Sequence, residues 1–109
     1  MLNKDTTLHL SDMIEIAKAG YSDTPNISTF FDYSKCTMMC MGSVFRMYES
    51  DIDFVFVLPR VSVLCIDIQD DFIQFTPILR SIKFNHLKAT MKLLDIISKH
   101  NAQLQDRNH

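Results

Sequence analysis

Apolar and polar positions change their period several times along this chain, and each change predicts an element. In residues 12 to 20, DMIEIAKAG, the apolar residues Met13, Ile14, Ile16 and Ala17 recur at helical spacing. Ser11 stands where an N-cap is wanted, Asp12 and Glu15 suit the positive end of a helix, and Gly20 suits its C-terminal cap. A short first helix is expected there. Residues 21 to 28, YSDTPNIS, then read as a loop, because Pro25 holds Thr24 extended and Asp23 and Asn26 favour local side-chain bonds.

Between Thr29 and Tyr48 two periods compete. Met38, Met41, Phe45 and Tyr48 follow one another at helical spacing, with Ser34 available as a cap, whereas Thr37 and Gly42 weaken a helix. A strand around GSVFRMY would instead place Val44, Arg46 and Tyr48 on one face and Phe45 and Met47 on the other. The helix is preferred.

The middle of the chain is β-branched and aromatic. Strands are expected over Asp53 to Leu58 and Val61 to Ile68, broken at Pro59, with a third in FIQFT after Asp71. The links are too short for parallel crossovers, so the sheet is an antiparallel meander. In the second strand Val61, Val63, Cys65 and Asp67 share one face and Ser62, Leu64, Ile66 and Ile68 the other, so both faces need cover. Residues 78 to 84, ILRSIKF, read as a fourth strand in preference to a helix begun at Thr76 and Pro77. Asn85 then caps a long amphipathic helix, with Leu87, Met91, Leu94 and Ile97 as its apolar stripe and Ala89, Leu93 and Ile96 widening it.

Together these elements predict one α+β domain over residues 1 to 109: a three- to four-stranded antiparallel meander, helices before it, and the amphipathic C-terminal helix packed on it. Residues 105 to 109 are expected to be a frayed tail, since no apolar residue follows Leu104. Two glycines and three prolines leave little room for a linker. The opening residues lack the basic start and apolar core of a secretion signal, and no apolar run reaches membrane-spanning length. With an odd count of three cysteines, this predicts a cytoplasmic protein with reduced thiols and no membrane association.

Charge and cysteine placement supply the candidate chemistry. Residues 35 to 47, KCTMMCMGSVFRM, crowd Cys36 and Cys40 among four methionines, and on a helix the two thiols would sit one turn apart, as a soft-metal pair could. The four histidines are scattered, so no cofactor is expected and adaptable packing or a partner surface is the preferred role. Glycine occurs only at 20 and 42, which excludes a phosphate-cradling loop and a dinucleotide fingerprint. Neither a nucleophile elbow nor a zinc-protease motif is present.

Residues 49 to 71 carry six acidic side chains against Arg60 alone, while residues 80 to 107 carry six basic ones against Asp95 and Asp106. Such an asymmetry steers partners. The expected function is therefore a small non-enzymatic interaction module, an inhibitor or accessory subunit that occupies the surface of a larger protein. Its contacts are expected at Glu49, Asp51, Asp53, Asp70 and Asp71, with Met38, Met41, Phe45 and Met47 as an apolar surface where they do not enter the core. That apolar segment, or an open sheet edge, could equally serve a homodimer. The alternative is nucleic-acid binding through Arg80, Lys83, Lys88, Lys92 and Lys99, and the second alternative a metal or thiol protein using Cys36 and Cys40.

Overall fold

A computed structural model describes residues 8–26, 32–40, 46–47, 50–51, 53–58, 62–69, 72–77 and 82–107. The first helix, α1 (Leu10–Gly20), begins two residues earlier than Ser11 as N-cap would place it. His9 is the N-cap: its backbone N–H donates to the Asp12 carboxylate at 2.9 Å, and its carbonyl accepts from Met13 N at 3.1 Å. Asp12 thus satisfies an otherwise orphaned donor as well as complementing the helix dipole. Met13, Ile16, Ala17 and Gly20 form the buried side.

Among the described residues the strands that follow are β1 (Thr37–Cys40), β2 (Arg46–Met47), β3 (Ser50–Asp51), β4 (Phe54–Leu58), β5 (Ser62–Gln69) and β6 (Phe72–Pro77). The main sheet has the order β1-β4-β5-β6 with every neighbour antiparallel, and β2 and β3 pair separately. The small β2–β3 ladder lies in sequence between β1 and β4, and Phe54 at the start of β4 stands directly opposite Cys40 at the end of β1. The long helix α2 (His86–Arg107) closes the fold. The fold is the α+β meander expected, with the C-terminal helix packed on the sheet.

Alternation sorts the strands into two faces. Phe54, Phe56 and Leu58 of β4, Leu64 and Ile66 of β5 and Phe75 of β6 face the helices and join Met13, Ile16, Ala17, Ala89, Leu93, Ile96 and Ile97 in one buried cluster. Cross-strand pairs such as Phe56 with Leu64 and Ile66 with Phe75 fix the register, because a one-residue slip would turn this whole set outward. Burying each such side chain stabilises the fold by roughly 1.5–3 kcal/mol. On the other face Val55 and Cys65 are buried side by side, with Val57 and Val63 half-buried around them and Asp67 buried further along β5.

Several expectations are corrected. The helix preferred between Thr29 and Tyr48 is overturned among the described residues of that stretch: residues 33–35 make a single 3-10 turn, capped by the Asp32 carboxylate on Ser34 N, and the chain then enters β1. The β partner decides this, since Met38 lies opposite Phe56 and packs on the core only if the segment is extended. The fourth strand of the sheet is therefore β1. Residues 82–85, the described end of the strand expected over 78 to 84, have no regular structure, although Ile82 and Phe84 still pack on the core. The last helix continues to Arg107, so residues 105 to 107 prolong it where a frayed tail was expected.

The joint between the helices explains Gly20. Asn85 N donates to the Gly20 carbonyl at 2.6 Å, and a Cβ on Gly20 would stand 2.0 Å from the Phe84 ring. Glycine is needed for this close approach, while Tyr21 follows as the cap. The Phe84 ring is held in turn by Tyr21, Phe75 and His86, with centroids 4.9, 5.6 and 5.1 Å away. At the other end His9 and His100 come within 6.2 Å, so α1 and α2 run antiparallel.

Candidate interaction surface

The N-terminal end of α2 is built from three side chains acting together. Asn85 caps the helix as expected, its Oδ1 accepting from Lys88 N at 3.0 Å, while its Nδ2 donates to Asp23 at 3.0 Å. The Lys88 ammonium donates to the other oxygen of Asp23 at 2.5 Å. These two donors hold the Asp23 carboxyl below its ordinary range, Asn85 more than Lys88. Asp23, expected to bond locally within its turn, instead ties that turn to α2.

This arrangement spends part of the basic face. Lys88 is occupied by Asp23, and Lys99 pairs with Asp95 one turn before it at 3.1 Å. Lys83 is exposed and Lys92 half-buried, and Arg80 lies outside the described residues. A phosphate would have to compete for two of these amines with carboxylates already in place.

The thiol pair has lost its helical geometry. Cys36 sits just before β1 and Cys40 ends it, so four extended residues separate the two backbones by about 13 Å, where one helical turn would give about 6 Å. Cys36 is buried, its Sγ 3.8 Å from the Asp32 carbonyl. Burial, and secondly the Asp32 carboxylate, pushes its thiol above the ordinary range, and burial does the same to Cys65. The neighbouring Tyr33 hydroxyl is pushed up to about 12 by burial. Raised thiols are poor nucleophiles and poor ligands. Among the described residues no three His, Cys, Asp or Glu side chains converge on a metal position. His100 Nε2 and Asp12 Oδ2 lie 3.8 Å apart beside His9, but that carboxylate also holds the start of α1.

Of the expected contact residues, Met38, Met47, Asp51 and Asp53 fall among the described residues. Asp51 ends β3 opposite Arg46, and Asp53 donates its backbone N–H to Ile66 at 3.0 Å, extending the β4–β5 ladder. Met47 is on β2 opposite Ser50. Met38 enters the core, which removes it from the exposed set. Met41, Phe45, Glu49, Asp70 and Asp71 lie outside the described residues.

A different apolar surface is present on α2. The helix buries Ala89, Leu93, Ile96 and Ile97, and leaves Leu87, Met91 and Leu94 exposed at 69%, 61% and 47%. These three follow one another at i, i+4 and i+7 and form a single stripe pointing away from the core. The residues expected to lead the core-facing side are, apart from Ile97, on the solvent side. A signal for this stands in the sequence: at about 100° per residue, the apolar positions from Leu87 to Ile97 cover more than half of the circumference, wider than one core contact uses.

No family model, curated protein or solved structure matches the chain. No helix among the described residues is long and apolar enough to cross a membrane.

Proposed function

We propose that this protein is a small non-enzymatic interaction module that acts as an inhibitor or accessory subunit by occupying the surface of a larger protein. The observation that carries the reading is the Leu87–Met91–Leu94 stripe: three large apolar side chains in line on a helix whose other side is already buried. A helix of this kind lays its i, i+4 and i+7 residues into an apolar groove, where such anchors dominate the binding energy. The acidic residues Glu49, Asp51, Asp53, Asp70 and Asp71 are the second contact set, suited to a basic partner. The cytoplasm is the proposed setting, since an odd count of three cysteines suits a reducing compartment better than a disulfide framework.

The test is affinity capture from a lysate of the producing organism, using the natural chain and Leu94→Glu in parallel, each with and without nuclease. A stoichiometric protein that survives nuclease and disappears with Leu94→Glu supports the reading. Recovery of nucleic acid, abolished by nuclease and insensitive to Leu94→Glu, would replace it with binding through Lys83, Lys92 and their neighbours.

A further inference from the structure

The flanks of the α2 stripe are not symmetric, and that asymmetry names an occupant. At about 100° per residue, Lys88 and Asp95 lie on one shoulder of the Leu87–Met91–Leu94 line, and Thr90 and Ile97 lie on the other. The charged shoulder therefore carries a cation near the helix start and an anion two turns later. Both side chains are about half exposed, at 49% for Lys88 and 50% for Asp95, despite their contacts with Asp23 and Lys99.

Consider a second copy laid on this stripe. If the two helices run parallel, opposite shoulders meet, and Lys88 and Asp95 face Thr90 and Ile97 with no charge to pair. If they run antiparallel about a two-fold axis, like shoulders meet in opposite directions. Lys88 of each copy then lies beside Asp95 of the other, and the pairing is satisfied twice. The apolar line is self-complementary in the same register, Met91 of one copy packing against Leu94 of the other. Past Leu94 the line continues as Ser98 and Asn101, so Leu87 of each copy packs against Ser98 of the other and the contact is limited to about two heptads. A surface that matches its own copy in both apolar line and charge is what a closed two-fold interface requires.

We infer that this protein forms an antiparallel homodimer through α2, with Leu87, Met91 and Leu94 at its centre and reciprocal Lys88–Asp95 pairs at its edge. This rests on the interaction reading above and uses the same stripe: a second copy covers it reversibly in the absence of the larger partner, which would displace that copy. Two heptads bury an area at the low end of specific interfaces, the class in which weak, reversible association is found.

Sedimentation equilibrium of the full chain over a wide concentration range tests this. The expected result is a mass rising from 12.6 kDa toward twice that value. Leu94→Glu weakens association about a hundredfold by burying two unpaired charges, with its circular dichroism and urea midpoint retained; Met91→Glu repeats the result should the first variant be unstable. Lys88→Asp and Asp95→Lys each weaken self-association about tenfold, since each sets like charges together twice. Mixing these two variants restores a dimer, because both contacts are again opposite in sign. A chain that stays monomeric to millimolar concentration overturns the inference, as does a dimer indifferent to Leu94→Glu or a mixture that fails to associate. A monomeric chain that still captures a protein through Leu94 would refute self-pairing and leave the interaction reading standing. A dimer that captures nothing would do the reverse.

Discussion

Helix α2 has two apolar sides of similar composition and opposite fates. Leu93 is fully buried between α1 and the sheet, whereas Leu94, its neighbour in sequence, is nearly half exposed. The side chains are chemically identical and the local helix is the same. What separates them is about 100° of rotation relative to α1 and to the Phe54–Phe56–Leu58 face of β4. Burial is thus a property of the position against its neighbours, and an apolar arc wider than one contact leaves a remainder for something else to cover.

The largest effect expected from this contrast comes from placing the same charge on each side. Leu93→Asp puts an unpaired carboxylate into the core and costs more than about 4 kcal/mol, enough to unfold a domain of this size. Leu94→Asp stays within about 1 kcal/mol of the natural chain at concentrations where it is monomeric. Urea titration followed by circular dichroism checks both, and equal losses would show that the two sides are not distinguished as described.

Next in size is the joint that sets the rotation of α2. Gly20→Ala would ordinarily favour a helix by about 0.5–1 kcal/mol. Here the added methyl meets the Phe84 ring, which Tyr21, Phe75 and His86 hold in place, so a loss of about 1–3 kcal/mol is expected. Phe84→Leu in the Gly20→Ala background should recover part of that loss, and a strictly additive double variant would argue against the contact.

The smallest effect concerns the polar tie beside that joint. Asn85→Ala removes the cap of α2 and one donor to Asp23, for a loss of about 1 kcal/mol. Because the folded Asp23 carboxyl titrates below its unfolded value, its contribution is full above the unfolded carboxylate range, near pH 4, and fades as pH falls through the folded value. The difference in melting temperature between the natural chain and Asp23→Asn should therefore close on acidification below about pH 4. A difference that is flat or grows in that range would contradict the tie.

The parts of this fold legible in the chain are those where local preference and tertiary need agree. FVFVL is almost wholly aromatic and β-branched, SVLCIDIQ is apolar at most positions with Val63, Ile66 and Ile68 β-branched, and both became strands within a residue or two of the expected bounds. Asn85 before an amphipathic run became the cap of a helix. At TMMC local preference and tertiary need disagree: methionine is a good helix former and the i, i+3 and i+4 spacing is present, yet the segment is a strand. Its strand state comes from the edge of β4, a partner fourteen or more residues away in the chain. The exposed side of α2 was not legible for the related reason that a hydrophobic period reveals which residues are apolar together, and not which of them another element will cover.

The chain by itself determined the class of the fold, the antiparallel sense of the meander and the capping of α2, because each follows from short-range sterics, link length or residue type. The tertiary structure alone decided that residues 37–40 are a strand, that Gly20 makes room for an aromatic ring, and that Leu93 is core while Leu94 is surface. Those outcomes depend on how α1, the sheet and α2 are rotated against one another, and that rotation is set by contacts between residues far apart in sequence.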